Sequence, residues 1–171
     1  HYRPIWIAGS THEGEEKIIL EAHQALLEKH PNLVLILVPR HPERFADVET
    51  LIQKSGLAYV KRTEQTALSG STQVLLGDTM GEMMLLYGLS KVAFVGGSLV
   101  KHGGHNPLEP IAFQLPVISG VYTYNFPEIF AKLAEVKGFI EVNSDTQSLV
   151  QAVEFLLENR DARKTIATAG F

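Results

Sequence analysis

The fold class of the chain follows from a run of six apolar residues, Leu33-Val34-Leu35-Ile36-Leu37-Val38. A strand that is apolar on both faces is typical of the centre of a parallel sheet covered by helices on both sides. Segments with helical spacing of apolar residues flank this run, at Gly14–Lys29 before it and Pro42–Ser55 after it. The same βαβα alternation continues along the chain and predicts an α/β fold with a Rossmann-like, doubly wound parallel sheet.

Length and composition restrict the function classes. The 171 residues fit one domain. The absence of cysteine excludes a disulfide framework, a thiol nucleophile and a cysteine-based metal site. A net charge of −4 argues against a nonspecific nucleic-acid binder. The chain starts at His1 and reaches its first predicted strand, Pro4–Ala8, within a few residues. We therefore expect a piece of a longer protein, with a further domain upstream.

Ligands of doubly wound sheets bind at the carboxyl ends of the strands, so the loops that follow the strands are the candidate site. The first loop is Gly9–Glu16, where Ser10 and Glu13 have the spacing of a capping box. The hydroxyls of Ser10 and Thr11 beside a helix start favour an anion site, with an ordinary capped helix as the alternative. Two glutamates stand where a phosphate-binding P-loop needs lysine and serine or threonine, which excludes that motif.

The second loop follows the central strand and contains Pro39 and Arg40. Proline ends the strand, and the guanidinium of Arg40 is suited to fork onto a phosphate or carboxylate. The alternative is a surface ion pair of Arg40 or Arg44 with Glu43 or Asp47.

The third loop is Gly77–Met84, in which Thr79 and Glu82 again have capping-box spacing. Gly81 in a first helical turn costs ~1 kcal/mol relative to alanine, which indicates close approach of a ligand or another backbone. Met80 beside it is placed to lie against a flat ring.

The fourth loop, Gly96–Pro110, is rich in glycine and begins with small residues at Gly97 and Ser98. His102 and His105 lie three residues apart on this loop, without a third ligand in view, so neither a metal nor a cofactor is expected.

The end of the fourth loop opens a helix. Asn106 is a natural N-cap before Pro107. Glu109 falls in the first turn, where a carboxylate can accept both hydroxyls of a ribose or simply complement the helix dipole.

Taken in order, these loops resemble the motifs of the Kdo (3-deoxy-D-manno-octulosonic acid) transferases of Gram-negative bacteria. The resemblance covers Ser10–Glu15, Pro39–Phe45, Gly77–Glu82 and Gly96–Pro110. It implies one half of a GT-B fold, with residues 1–171 as the C-terminal nucleotide-sugar-binding domain and the N-terminal acceptor domain absent. It further implies inverting transfer of Kdo from CMP-Kdo to a lipid A precursor, at the cytoplasmic face of the inner membrane.

The resemblance also implies roles for individual residues. Arg40 would hold the CMP phosphate or the base edge, Asn106 the phosphate and Glu109 the ribose. The full donor-binding set is Ser10, Thr11, Pro39, Arg40, Met80, Gly81, Gly97, Ser98, Asn106 and Glu109. The general base, the acceptor surface and the membrane anchor would belong to the N-terminal domain. No catalytic residue is therefore expected in this chain, and the chain alone is expected to be inactive.

Two other functions remain open from the residues alone. GT-B-like sugar-nucleotide epimerases share the architecture and a glutamate near the same helix. A non-catalytic α/β module would use the glycine-rich loop as a partner interface. Discrimination between CMP and UDP separates the first alternative from a Kdo transferase.

Overall fold

A computed structural model describes residues 3–64, 70–79 and 81–170 of the chain. Its strands form one seven-stranded sheet and are β1 (Ile5–Thr11), β2 (Val34–Pro39), β3 (Tyr59–Lys61), β4 (Val74–Leu76), β5 (Val92–Val95), β6 (Val117–Ser119) and β7 (Phe139–Glu141). The order across the sheet is β3-β4-β2-β1-β5-β6-β7, and each neighbouring pair is parallel. The predicted α/β class and doubly wound parallel sheet are confirmed.

Helices connect the strands and cover both faces of the sheet. They are α1 (Glu15–Lys29), α2 (Phe45–Ser55), α3 (Met83–Gly88), α4 (Leu108–Ala112), α5 (Pro127–Val136), α6 (Thr146–Glu158) and α7 (Arg160–Gly170), with 3₁₀ turns at Pro42–Arg44 and Arg62–Glu64. The chain leaves β1 for β2 on one side and later returns to β5 on the other, so strand order reverses beside β1. Such a reversal opens a crevice at the carboxyl ends of the strands. Among the described residues, no helix has the length and apolar character needed to cross a bilayer.

The central strand β2 is buried on both faces, as its sequence predicts. Leu35 and Leu37 pack with α1 and α6 on one face, whereas Ile36 and Val38 pack with α3 on the other. Alternation along the strand thus assigns neighbouring residues to two different apolar layers. Each of these four side chains is at least nine-tenths buried. The two layers fix the sheet and thereby the positions of the loops at its carboxyl edge.

Two of the predicted capping boxes are wrong. Ser10 belongs to β1, which continues to Thr11, and has a left-handed backbone with a φ of 57°. Helix α1 begins after Gly14, whose φ is 94° and which supplies no side-chain cap. Thr79 donates to the side chain of Glu82 at 2.5 Å, but α3 starts only at Met83 and has no side-chain cap. Gly81 therefore precedes the helix, with a φ of 80° that favours glycine.

A buried histidine links the sheet to α1. The indole N–H of Trp6 donates to Nδ1 of His23 at 3.1 Å. Because that nitrogen accepts, Nε2 holds the proton of the neutral ring and donates it to the carbonyl of Gln73 at 2.8 Å. Burial lowers the pKa of His23 from 6.5 to about 4, against the opposing effect of the Gln73 carbonyl.

This pKa shift predicts a loss of stability in acid. Between the two pKa values His23 binds a proton in the unfolded chain but not in the folded chain. The stability that neutral His23 contributes is therefore fully present above pH 6.5 and decreases as pH falls. We expect His23 to reduce the free energy of unfolding by about 2 kcal/mol between about pH 7 and pH 4.5. Urea unfolding of the wild type and of His23→Gln measures this difference. His30→Gln, at the C-terminal end of α1, is the control, and equal pH slopes in all three proteins would contradict the assignment.

Candidate functional site

A cleft of about 310 Å³ opens at the carboxyl edge of the sheet, where strand order reverses. This volume lies within the range of small-molecule sites in proteins. The cleft is lined by residues from all four candidate loops and from nearby helices: Ser10, Val38, Pro39, Arg40, Thr79, Gly81, Met83, Leu86, His105, Asn106, Glu109 and Phe126. The topology therefore brings together loops that lie up to about 100 residues apart in the sequence.

The structure brings six of the ten predicted site residues to this cleft. They are Ser10, Pro39, Arg40, Gly81, Asn106 and Glu109. The cleft offers one guanidinium, one carboxylate, an amide, a hydroxyl from each of two loops and apolar walls. Such a mixture suits a ligand that combines a flat ring, hydroxyls and an anionic group.

The other four predicted residues are not among those that line the cleft. Thr11 is fully buried, and its hydroxyl has no hydrogen-bond partner among the described residues. Ser98 is fully buried and uses its hydroxyl internally, donating to the Val95 carbonyl at 2.6 Å and accepting from the Gly120 N–H at 2.8 Å. Gly97 is also buried. Met80 lies outside the described residues.

The polar groups of the cleft are held by their local backbone. The Arg40 N–H donates to the Thr11 carbonyl at 2.9 Å, which fixes the residue at the end of β2 while its side chain stays exposed. Oδ1 of Asn106 accepts from the Leu108 N–H at 3.0 Å and so caps the start of α4, although the helical boundary itself falls at Pro107. Glu109 lies in the first turn of α4 with its side chain exposed.

The ion pairs in the structure differ from the surface pairs that the sequence suggested for Arg40 and Arg44. Arg44 binds the fully buried Glu16 through two hydrogen bonds of 2.8 and 2.9 Å. These bonds raise the pKa of Arg44, so its guanidinium is charged at neutral pH. Among the described residues, Arg40 forms no ion pair with Glu43 or Asp47. Its guanidinium is therefore not consumed by either of those carboxylates.

The wall around Gly81 is fixed by Glu82. Its carboxylate accepts two hydrogen bonds from Arg62, both 3.1 Å long, in addition to the bond from Thr79. The Thr79 hydroxyl and then Arg62 lower the pKa of Glu82. This network connects the loop before α3 with the 3₁₀ turn after β3.

Glu15 connects two loops of the site and was not among the predicted site residues. Its carboxylate accepts from the N–H groups of His12 at 2.9 Å, Gly97 at 2.7 Å and Leu99 at 3.0 Å. The side chain is fully buried, and burial raises its pKa while the three N–H groups oppose that rise. Glu15 thereby joins the loop after β1 to the loop after β5. The sequence offers only a pair of glutamates at a helix start, a common pattern that does not report burial.

Four histidines from three loops form a cluster beside the cleft. The ring of His12 stacks on His102 with a centroid distance of 4.0 Å and meets His41 edge-on at 5.4 Å. Nε2 of His12 lies 2.7 Å from Nε2 of His105, which itself lines the cleft. His12 and His41 were not considered as site residues from the sequence. We call His12, His41, His102 and His105 the histidine cluster.

Comparisons with known proteins identify the family of the chain. The family model of the glycosyl transferases group 1 matches residues 3–171. The solved C-terminal CMP-Kdo binding domain of WaaA from Acinetobacter baumannii is 37% identical and superposes with a TM-score of 0.94, over 98% of this chain and 87% of that one. The chain belongs to the group 1 glycosyl transferases, in the family of that WaaA domain.

Other relatives of the family extend the comparison. A 3-deoxy-D-manno-octulosonic acid transferase of Haemophilus influenzae is 58% identical over 169 residues, which are 99% of this chain. The chain spans only 40% of the length of that relative. UDP-GlcNAc 2-epimerase from Neisseria meningitidis superposes with a TM-score of 0.65 at 19% identity over 98% of this chain and 39% of that one. The last likeness concerns the fold alone.

Proposed function

We propose that the chain is the donor-binding domain of an inverting glycosyltransferase that transfers Kdo from CMP-Kdo to a lipid A precursor. The observation that carries this proposal is the meeting of Arg40, Gly81, Asn106 and Glu109 around one cleft. The similarity to a domain described as CMP-Kdo binding, at 37% identity and a TM-score of 0.94, supports the choice of ligand. The transferase relative that is 58% identical supports the reaction.

The chemistry of the cleft fits the departure of CMP from the sugar. As the glycosidic bond breaks, negative charge accumulates on the phosphate, and preorganised cations and N–H donors stabilise that charge where it develops. Arg40 and the side chain of Asn106 supply such groups in the lining of the cleft. Glu109, which lines the same cleft, accepts hydrogen bonds from the ribose hydroxyls. None of these roles requires a nucleophile or a metal in this domain.

The acceptor hydroxyl must lose a proton during transfer, which needs a general base. We infer that this base, the lipid-acceptor surface and the membrane anchor belong to an N-terminal domain of the full protein. We also infer that the full protein works at the cytoplasmic face of the inner membrane. The 171-residue chain alone would bind the donor without transferring it. Detectable Kdo transfer by this chain alone would contradict that inference.

The role of Glu109 gives a prediction for the donor site. We expect Glu109→Gln to weaken binding of CMP by about 1–3 kcal/mol, because the ribose hydroxyls lose a charged acceptor. Stability should change little, since the side chain is exposed. Isothermal titration with CMP measures the affinity, and urea unfolding measures the stability. Glu128→Gln, an exposed glutamate in the first turn of α5, is the matched control. If Glu109→Gln lost stability and kept its affinity for CMP, the only role of Glu109 would be to complement the helix dipole.

An NMR titration with CMP and UMP tests the proposed function itself. We expect chemical-shift changes at the amides of Gly81 and Asn106 with CMP and weaker binding of UMP. Equal affinity for both nucleotides would favour a sugar-nucleotide epimerase domain. No response to either at millimolar concentration would favour a non-catalytic module, with the glycine-rich loop as a partner interface.

A further inference from the structure

The histidine cluster lies at one edge of the cleft and has no role in the function proposed so far. His12 comes from the loop after β1, His41 from the loop after β2, and His102 and His105 from the loop after β5. Gly97 makes their packing possible, since its φ is 76° and a Cβ there would lie 3.1 Å from the ring of His105 and 3.3 Å from that of His12. The cluster is therefore built by three loops and by a glycine that leaves it room.

The contact between His12 and His105 restricts their protonation. Two Nε2 atoms 2.7 Å apart form a hydrogen bond only when one bears a hydrogen and the other presents a lone pair. With both rings neutral, the donor ring has a bare Nδ1. A proton taken from solvent goes to that nitrogen and leaves the bond between the two rings intact. The pair thus accommodates one added positive charge without rearrangement.

The surroundings of the pair oppose that charge. Burial lowers the pKa of His12 to about 4, assisted by His102, His105, His41 and Arg44. Burial lowers the pKa of His105 to about 4 as well, assisted by Arg40, His102 and His41. The carboxylate of Glu15 contacts the backbone N–H of His12 and already accepts from three N–H groups.

A negative charge within about 4–6 Å favours the cationic form of an imidazole. His105 lines the same cleft as Arg40 and Asn106, the residues that the proposed function assigns to the anionic group. We propose that His12 and His105 form an anion subsite of the cleft, which takes up one proton when a phosphodiester or carboxylate group of the donor binds. This inference rests on the proposed function and adds to it a group that recognises charge and links binding to pH.

The subsite predicts that donor analogues bind more tightly in mild acid. If anion binding returns the pKa of the pair from about 4 to about 6, affinity at about pH 5.5 exceeds affinity at about pH 8 by about fourfold. The probes are cytidine 5′-(methyl phosphate), whose phosphodiester keeps one charge over this range, and free Kdo, which offers only the carboxylate. Cytidine, which lacks both groups, should show no such dependence. The probe that raises the pKa identifies the group that occupies the subsite.

Long-range ¹H–¹⁵N spectra of the histidine side chains, recorded over pH with and without each probe, give the pKa directly. His105→Gln should lose the pH dependence of binding for the anionic probes. His30→Gln, remote from the cleft beside Glu158, is the control and should keep that dependence.

The outcomes separate a failure of the anion subsite from a failure of the proposed function. A rise in the pKa of His12 or His105 with an anionic probe supports the subsite. Binding of the CMP ester with unchanged histidine pKa values, and with unchanged pH dependence in His105→Gln, overturns the subsite and leaves the proposed function standing. A chain that binds neither cytidine nor its phosphate ester contradicts both.

Discussion

Glu15→Ala is expected to lower the free energy of unfolding by about 3–5 kcal/mol. The substitution leaves the N–H groups of His12, Gly97 and Leu99 without their acceptor inside the protein. Each unsatisfied buried donor costs about 1–3 kcal/mol, and part of the sum is offset because a buried carboxylate no longer has to be desolvated. Urea unfolding followed by circular dichroism measures the loss.

Two variants define the origin of that loss. Glu15→Gln keeps one acceptor oxygen and should lose less stability than Glu15→Ala. Glu13→Ala removes an exposed carboxylate two positions away and should be nearly neutral. If Glu13→Ala and Glu15→Ala had the same effect, the hydrogen bonds of the buried carboxylate would not be the cause.

Gly96→Ala is expected to cost about 3 kcal/mol or to prevent folding. A Cβ at this position would collide with the backbone of Gly9 and Ser10, including both of their carbonyl oxygens. The obstacle is backbone in the centre of the sheet, where Gly96 N–H also donates to the Gly9 carbonyl at 2.8 Å. No side-chain rotation relieves such a contact, so β1 and β5 would have to separate at their carboxyl ends.

Gly70→Ala is the matched control. A Cβ at Gly70 would meet no described atom within 4 Å. Unchanged or slightly increased stability is expected there, because alanine restricts the unfolded chain more than glycine does. A stable Gly96→Ala protein with an unshifted urea midpoint would show that the two strand ends tolerate a wider separation.

The sheet and much of the cleft were predictable because they follow from local patterns. Leu35 and Ile36 reach opposite faces of β2 as a strand requires, and the helices on both sides follow from apolar spacing. Arg40 and Glu109 meet at one cleft because the carboxyl ends of parallel strands share one edge of the sheet. Their function as donor ligands stays a prediction.

Other features depend on tertiary contacts that no local pattern reports. A glutamate in the first turn of a helix is usually exposed, and Glu15 becomes buried only because the loop after β5 folds over it. The sequence predicted the hydroxyl of Ser98 as a ligand contact, but in the structure this hydroxyl connects the end of β5 to Gly120. The capping box predicted for Ser10 and Glu13 is wrong because β1 extends through Thr11 and α1 begins only after Gly14.

The attachment of two loops to one carboxylate has a consequence for ligand binding. Gly97 and Leu99 lie on one loop and His12 on the other, so the hydrogen bonds to Glu15 make both segments parts of a single rigid body. Their conformational entropy is lost when the chain folds and not when a ligand arrives. The wall that presents His105 and Asn106 is thus ordered before a ligand arrives, and binding does not have to pay again for ordering these two loops.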